Sequence, residues 1–267
     1  MSGSVTVVGL GPGGPASCTP EVVAALQVAT DLVGYAPYLA MAEGILAASG
    51  PAAGTAPRHA SDNRQEADRA RHALDLAAAG GRVAVVSSGD PGVFAMAAAV
   101  VEQLDLTPDA ATRWAGVEVV VLPGVSAAQA AAARAGAPLG HDFCVISLSD
   151  NLKPWDVVER RLDAAAGADF VVALYNPTSR HRPWQLARAA EVLLAHRSAD
   201  VPVVLGRDVG RPAESVRVVH LGDLATADVD MRTVVIVGSS TTRTLVTPTG
   251  TPATYTPRTY PAPTPTA

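Results

Sequence analysis

The chain has 267 residues, of which 48% are hydrophobic and 17% charged, a balance typical of a folded protein with one large or two medium domains. Its net charge of −5 argues against a general nucleic-acid or membrane-surface binder, because such proteins need a basic field. The two cysteines, Cys18 and Cys144, have no metal-ligand spacing around them, so neither a disulfide framework nor a metal site is predicted.

Targeting segments are not evident in the sequence. No apolar run has the length of a membrane-spanning helix, and the apolar stretch near the N-terminus is too short for a signal peptide. We therefore expect a cytoplasmic protein without membrane or nucleic-acid partners.

Apolar strand-like runs alternate with helical stretches along the first half of the chain. A strand over 5–10 is followed by a helix over 20–29, where Thr19 is a suitable N-cap and Pro20 suits the first helical position. The segment 58–81 is predicted only as a polar stretch. The other elements of this half are strands over 31–35, 82–87 and 117–122 and helices over 93–104 and 126–136.

The alternation continues through the second half. Its predicted strands cover 143–149, 169–175, 201–206, 215–222 and 232–238, and its helices cover 155–167 and 183–196. Valine-rich strands separated by helices indicate an α/β fold with mostly parallel sheets, buried on both faces. We expect an N-terminal α/β domain over 1–122 and a C-terminal one over 123–246, followed by a disordered tail over 247–267, where threonine and proline dominate.

The first strand runs into a glycine-rich loop that matches the dinucleotide-binding pattern G-x-G-x-x-G through Gly9, Gly11 and Gly14. A true dinucleotide loop opens its helix directly, whereas here the helix begins near Thr19. Pro12 also removes a backbone N–H that should donate to phosphate. The pattern therefore fails in context, although a nicotinamide-dependent oxidoreductase remains an alternative.

Three strand-end loops together make a more specific signal. They read "VGLGPGG", "SSGDPGVF" and "LPGVSA", and each follows a predicted parallel strand. One such loop alone is explained by a tight turn or a helix cap, as Asp90 would be at the start of the next helix. All three lie at the carboxyl edge of the sheet, where ligands usually bind. The Asp90 carboxylate is suited to a ribose hydroxyl or a cationic group.

These three loops, with "LYNP" and "MRTVVIVG", resemble the tetrapyrrole methylases, the class III S-adenosylmethionine-dependent methyltransferases. The resemblance covers roughly residues 5–239. It implies two α/β domains with S-adenosyl-L-methionine as cofactor in the cleft between them, and usually a homodimer. The stretches "LVGYAPYL", "GAPLGHDFCVISLSDNLKPWDVVERRLDAA" and "ADFVVALYNPTSRHR" are most similar to the member that methylates carbon 17 of precorrin-3B in cobalamin biosynthesis and contracts the ring to precorrin-4.

The resemblance also implies site residues. Those expected at the cofactor are Leu10, Gly89, Asp90, Val93, Ser126, Ala127, Leu174, Tyr175, Asn176, Gly206 and Thr233. Those expected at the tetrapyrrole are Gly11, Pro12, Gly13, Ser149 and Arg180, with Arg58, Arg64 and Arg182 as further cations for its carboxylates. The candidates for proton transfer during ring contraction are His141 and Asp150, with Asp142 and Ser149 nearby.

The implied reaction requires the protein mainly to position the methyl donor and the accepting carbon. A methyl sulfonium is already a strong electrophile and a reduced porphyrinoid carbon is electron-rich, so alignment supplies most of the rate enhancement. Three alternatives remain open besides the oxidoreductase. They are a sibling that methylates another ring carbon, the corresponding enzyme for a cobalt-containing substrate, and a carrier that binds tetrapyrrole without methyl transfer.

Overall fold

Two units make up the chain, Met1–Ala127 and Ala128–Ala267, against an expected boundary after residue 122. The structure is a computed structural model and describes residues 3–50, 56–62 and 65–260. Among these residues no helix has both the length and the apolar composition needed to cross a membrane.

The first unit is built on a five-stranded parallel sheet of order β3-β2-β4-β1-β5. Its core is formed by strand valines and helix alanines and leucines, among them Val7, Val85, Ala73 and Leu74. The elements are β1 (Ser4–Gly9), α1 (Pro20–Val28), β2 (Asp31–Tyr35), α2 (Ala36–Ala48), β3 (Arg58–Ser61), α3 (Glu66–Ala78), β4 (Arg82–Ser87), α4 (Met96–Leu106), α5 (Ala110–Arg113) and β5 (Glu118–Leu122).

Helix α1 begins as predicted, because the Thr19 hydroxyl accepts a hydrogen bond from the Val22 N–H at 3.3 Å and Pro20 occupies the first position. The polar stretch over 58–81 contains strand β3 and helix α3, neither of which was predicted. Helix α3 buries three alanines together with Leu74 and Arg69, while the rest of its surface is largely charged. A buried face made mostly of alanines, with a charged arginine in it, gives a weak apolar signal in the sequence.

The second unit holds a five-stranded sheet of order β10-β9-β11-β8-β7 and a three-stranded sheet of order β12-β13-β6. Its elements, with the helix that leads into it, are α6 (Ala127–Ala135), β6 (Gly136–Ala137), β7 (Phe143–Ser147), α7 (Trp155–Gly167), β8 (Val171–Tyr175), α8 (Gln185–Leu194), β9 (Pro202–Arg207), β10 (Ser215–His220), β11 (Thr233–Val237), β12 (Arg243–Val246) and β13 (Pro252–Tyr255). Helices α7 and α8 pack on the larger sheet and bury Leu162, Leu174 and Leu193.

The α/β class is as predicted, but only the sheet of the first unit is parallel throughout. In the larger sheet of the second unit, β7 and β8 are parallel, whereas β11 runs antiparallel to both β8 and β9, and β10 antiparallel to β9. The connections between the strands explain the antiparallel pairing, because β9, β10 and β11 follow one another without an intervening α-helix. A parallel pair needs such a crossover.

The predicted disorder from residue 247 onward is wrong for much of that segment. Strand β13 pairs with β12 and with β6, and Thr254 and Thr256 are almost completely buried, at 1% and 2% exposed. The Thr256 hydroxyl donates to the Pro138 carbonyl at 2.6 Å. The buried positions of this segment are occupied by hydrogen-bonded threonines. A search of the sequence for apolar periodicity therefore does not detect the strand. Residues 261–267 lie outside the described part of the chain.

Candidate functional site

The loops after β1 and β4 are joined to each other in the first unit. The Leu10 N–H donates to the Ser87 carbonyl at 2.9 Å, and Gly11 and Gly89 exchange two backbone hydrogen bonds of 3.2 and 2.7 Å. Because β4, β1 and β5 are parallel neighbours, the third loop, after β5, emerges at the same edge. The structure therefore brings the three predicted loops of this unit together.

Glycine is required where these loops touch. A Cβ placed on Gly9 would lie 2.7 Å from both the Gly124 nitrogen and the Gly89 carbonyl oxygen, and one on Gly124 would lie 2.3 Å from that same oxygen. The backbones thus pack directly on one another. Gly9 is explained by this contact, and α1 begins only at Pro20, so the dinucleotide-loop interpretation of the motif is not supported.

Asp90 does not cap helix α4, which begins six residues later at Met96 with Ala95 in the N-cap position. Its Oδ1 accepts from the Gly92 N–H at 2.8 Å and its Oδ2 accepts from the Gly124 N–H at 3.1 Å. The carboxylate therefore links the β4 loop to the β5 loop. A carboxylate oxygen can accept more than one hydrogen bond, so Asp90 keeps the capacity to bind a ligand hydroxyl.

The other predicted cofactor residues of this unit lie on the same loops. Leu10 is fully buried and Ser126 is 8% exposed. The Val93 N–H donates to the Asp90 carbonyl at 3.3 Å. Gly89 has φ +71°, and the atoms nearest to the position that a Cβ would take there are the Ala127 nitrogen at 3.8 Å and the Ser126 Cα at 3.9 Å. All of these residues therefore border one small region.

The loop predicted to face the tetrapyrrole is a tight, self-bonded turn. Gly11 has φ +72°, and a Cβ there would lie 2.5 Å from the Ser17 carbonyl oxygen. The Ser17 hydroxyl donates to the Gly13 carbonyl at 2.8 Å. Gly11, Pro12 and Gly13 are all buried, so this turn has a fixed shape.

In the second unit, β7, β8 and β9 end at one edge of the sheet and β11 begins there, with Ser147 beside Tyr175 and Arg207 beside Thr233. The Tyr175 hydroxyl accepts from the Ala128 N–H of α6 at 2.9 Å. Asn176, the residue after Leu174 and Tyr175, has φ +52° and donates through Nδ2 to the Ser147 hydroxyl at 3.0 Å. The end of β8 is thereby held at a defined position.

Gly206 and Thr233 lie at this same edge on β9 and β11. A Cβ on Gly206 would lie 2.5 Å from the Ala131 Cβ of α6, so the strand approaches the helix closely. The Thr233 hydroxyl donates to Asp230 Oδ1 at 3.1 Å. The structure therefore gathers the predicted cofactor residues of the second unit as well.

The proposed proton-transfer residues are separated. His141 and Asp142 precede the amino end of β7, whereas Ser149 and Asp150 follow its carboxyl end, and a five-residue strand is about 17 Å long. His141 packs edge-on against Tyr260, with ring centroids 5.0 Å apart. The prediction that all four cluster is therefore wrong, and Asp150 remains the candidate at the carboxyl edge.

The predicted arginines have different surroundings. Arg58 pairs with Glu43 at 2.8 Å, Arg180 is exposed, and Arg64 lies outside the described residues. Arg182 is 8% exposed and donates to the Asn176 carbonyl at 3.2 Å, so it supports the loop after β8.

Lys153 was given no role from the sequence. Its Nζ donates to the Ser149 carbonyl at 3.2 Å, which places it at the same edge as Ser149. The sequence signal for this residue is that it is the one lysine among 20 basic residues.

Comparison with protein families identifies the fold. The family model for tetrapyrrole (corrin/porphyrin) methylases matches residues 4–225. The chain belongs to the tetrapyrrole methylase family. The crystal structure of the methyltransferase CobJ is similar to this tetrapyrrole methylase, with a TM-score of 0.83, 50% identity and coverage of 96% of this chain and 100% of that one.

Curated relatives of this tetrapyrrole methylase carry related names. Precorrin-3B C(17)-methyltransferase of Sinorhizobium sp is 52% identical over 97% of this chain and 98% of its own length. The probable cobalt-factor III C(17)-methyltransferase of Salmonella typhimurium is 42% identical over 89% and 93%. CobIJ of Mycobacterium tuberculosis is 53% identical over 91% of this chain, which spans 46% of that longer protein.

Proposed function

We propose that the protein is an S-adenosylmethionine-dependent C-methyltransferase that methylates carbon 17 of precorrin-3B and contracts the ring to precorrin-4 in cobalamin biosynthesis. The observation that carries this proposal is the 52% identity to a precorrin-3B C(17)-methyltransferase over nearly the full length of both chains. The similarity to CobJ at a TM-score of 0.83 supports it independently through the fold.

The loops of the first unit fit a nucleoside cofactor. The position that a Cβ would take at Gly89 has the Ala127 nitrogen and the Ser126 Cα at ordinary contact distances of 3.8 and 3.9 Å, and a glycine lets a ligand approach the backbone closely. Asp90 is held by two backbone N–H groups with its oxygens still able to accept from a ribose hydroxyl. Leu10, Val93, Ser126 and Ala127 complete this proposed set.

In the second unit we assign cofactor contacts to Leu174, Tyr175, Asn176, Gly206 and Thr233. They share one sheet edge, and the hydrogen bond from Asn176 to Ser147 fixes the backbone that would face the ligand. Bound S-adenosylmethionine supplies an electrophilic methyl group. The residues of the chain then have to hold that group against the accepting carbon, which is catalysis by positioning.

The tetrapyrrole is assigned to the Gly11–Gly13 turn, Ser149 and Arg180. The turn offers backbone and little side-chain bulk to a flat ring, and its shape is fixed by the Ser17 hydroxyl. Arg180 is exposed and carries a charge suited to an acetate or propionate group. Asp150, which accepts from Gln185 Nε2 at 3.2 Å, is the carboxylate that we assign to the proton-transfer step, as a proton carrier or as the partner of one.

A cobalt-containing substrate is the second candidate, because the Salmonella cobalt-factor III relative also matches over most of both chains, at the lower identity of 42%. The two candidates share the reaction and differ in the metal of the substrate. We further propose that the protein is cytoplasmic and forms a homodimer, in line with the family resemblance.

The decisive experiment is incubation of the purified protein with S-adenosylmethionine and either precorrin-3B or its cobalt analogue. We expect S-adenosylhomocysteine and a tetrapyrrole heavier by one methyl group, with NMR placing that group on carbon 17. Formation of this product from the metal-free substrate alone would decide between the two candidates. Binding of the tetrapyrrole without turnover of the cofactor would instead indicate a carrier, and preferential binding of a nicotinamide cofactor would revive the oxidoreductase.

A further inference from the structure

Lys153 is chemically unlike every other cation of the chain. Of the 20 lysine and arginine residues, 19 are arginines and Lys153 is the one lysine. Arginine stays protonated in proteins, whereas a lysine can give up its proton and take it back. Lys153 is therefore the one side chain of this sequence that can act as a neutral amine.

The side chain of Lys153 turns back toward the end of strand β7. The residue lies in the segment between Ser147, the last residue of β7, and Trp155, the first residue of α7. Its Nζ donates to the Ser149 carbonyl at 3.2 Å, and the residue is half-buried. The amine is thus held at the carboxyl edge of the sheet, beside residues already assigned to the tetrapyrrole.

The charge of the Asp150 carboxylate acts on this amine, and a buried amide holds that carboxylate. Its Oδ2 accepts from Gln185 Nε2 at 3.2 Å. Gln185 is only 1% exposed, and its Oε1 has no hydrogen-bond partner among the described residues. Because a buried amide in this setting cannot turn to solvent, it holds the carboxylate in one orientation.

Burial lowers the pKa of Lys153, and the nearby charge of Arg161 lowers it further, while Asp150 opposes both effects. Within the described part of the chain, these two are the charged groups that act on the amine. A lower pKa means that more of the neutral amine, which is the form able to accept a proton, is present near neutral pH.

We propose that Lys153 is the proton-accepting group of the methyl-transfer reaction, with Asp150 beside it to stabilise the ammonium that forms. This inference rests on the proposed function and names the residue that completes its chemistry.

The proton balance of the reaction requires such an acceptor. Methyl transfer forms a C–C bond with the electron pair of a macrocycle double bond and breaks the S–C bond, so the neutral macrocycle gains one positive charge. That charge is removed when an O–H or N–H of the macrocycle loses its proton. The lone pair of the Lys153 amine takes this proton, and the resulting ammonium releases it to water before the next turnover.

One test needs no substrate. Acetic anhydride modifies neutral amines, and in this chain only Lys153 and the N-terminus carry them. The variant Arg160→Lys adds an ordinary surface lysine on α7, where Arg160 is exposed and pairs only with Asp156 in the described structure, and so provides a reference in the same molecule. We expect mass spectrometry of peptides to show that the modification rate of Lys153 reaches its half-maximum at a lower pH than that of the reference lysine. Identical pH profiles would overturn the proposal.

The second test separates proton transfer from charge. Because a positioned acid or base contributes a factor of about 10²–10⁴, we expect Lys153→Arg and Lys153→Met each to lower kcat about 100-fold or more, with the Kd for S-adenosylhomocysteine within about twofold of the parent. The ascending limb of the kcat–pH profile should disappear in both. Full activity of Lys153→Arg with loss in Lys153→Met would show that only a fixed charge is needed and would overturn the proposal.

These outcomes remain distinct from a failure of the proposed function. A parent protein that neither binds S-adenosylhomocysteine nor releases it from S-adenosylmethionine refutes the methyltransferase assignment. A parent that is active while Lys153→Met keeps its kcat refutes only the role of Lys153. Retained affinity for S-adenosylhomocysteine shows in each variant that the protein is folded.

Discussion

The carboxylate of Asp90 accepts a hydrogen bond from the backbone N–H of Gly124, 3.1 Å away and 34 residues further along the chain. Its other oxygen accepts from the Gly92 N–H in its own loop. One side chain thus fastens the loop after β4 to the loop after β5. Asp90 therefore does not cap a helix, and it shapes the region in which the cofactor is proposed to lie.

Replacing Asp90 with alanine should therefore weaken both stability and cofactor affinity. Loss of two hydrogen bonds to a charged acceptor costs about 1–3 kcal/mol of unfolding free energy, which urea denaturation measures. Affinity for S-adenosylhomocysteine should also fall, because the two loops are no longer linked. We expect calorimetry on the folded variant to show a fall of at least about tenfold, which corresponds to the net free energy of one or two hydrogen bonds.

Asp109→Ala is the matched control for that substitution. Asp109 lies in the same unit, is exposed, and makes no side-chain hydrogen bond at the start of α5. We expect its stability to stay within about 0.5 kcal/mol of the parent, as for most surface substitutions, and its cofactor affinity to be unchanged. Equal affinities of the Asp90 variant and this control would contradict the assignment of Asp90 to the cofactor region.

Gly11→Val should impair tetrapyrrole binding more than cofactor binding. Gly11 has φ +72°, and an added Cβ would lie 2.5 Å from the Ser17 carbonyl oxygen, so a side chain there must displace the turn. A non-glycine residue in this conformation costs about 1–3 kcal/mol. Fluorescence titration with the tetrapyrrole and calorimetry with S-adenosylhomocysteine measure the two affinities separately.

Gly44→Val controls for the added bulk, because nothing lies within 4 Å of the position that its Cβ would take in helix α2. It should change neither affinity. A Gly11 variant that loses only cofactor affinity would show that the division of the site between the two ligands is wrong.

The three strand-end loops could be predicted from the sequence because each of their determinants is local. A valine-rich strand, a glycine or proline turn and a small-residue helix follow one another within about a dozen residues, and parallel strands bring such loops to one edge. The N-cap at Thr19 is local in the same sense, and the structure contains its hydrogen bond to Val22.

What the sequence did not reveal depends on pairing between distant segments. The antiparallel course of β9, β10 and β11 is set by their connections, since the valine runs alone read equally well as parallel strands. His141 and Asp150 are close in sequence, yet an extended strand lies between them. The link between Asp90 and Gly124 joins residues 34 positions apart, which no local pattern encodes.

Thr256→Val tests the order of the segment that follows β12. The Thr256 hydroxyl is buried, donates to the Pro138 carbonyl at 2.6 Å and lies 2.8 Å from the Thr242 hydroxyl. Removing it leaves buried polar groups unpaired, at a cost of about 1–3 kcal/mol. Urea denaturation should show this loss, whereas Thr249→Val, at an exposed position, should leave stability unchanged. Equal midpoints for the two variants would count against a packed role for Thr256.

Asp75 should make the first unit sensitive to acid. Hydrogen bonds from Arg113 hold the pKa of Asp75 below its usual range; burial opposes them, and the Trp114 indole N–H, 2.8 Å from Oδ1, adds to the lowering. Because the pKa of Asp75 is lower in the folded state, ionised Asp75 stabilises the fold fully above the unfolded-state pKa, near about 4. This stabilisation is lost as the pH falls through the folded-state pKa.

Asp75→Asn should therefore be less stable than the parent at pH 7, and the difference between their urea midpoints should close as the pH drops below about 4. Since the side chains of Asp75 and Arg113 are 41% and 42% exposed, high salt should narrow the gap. A gap that stays constant from neutral to strongly acidic pH would rule out this carboxylate as the titrating group.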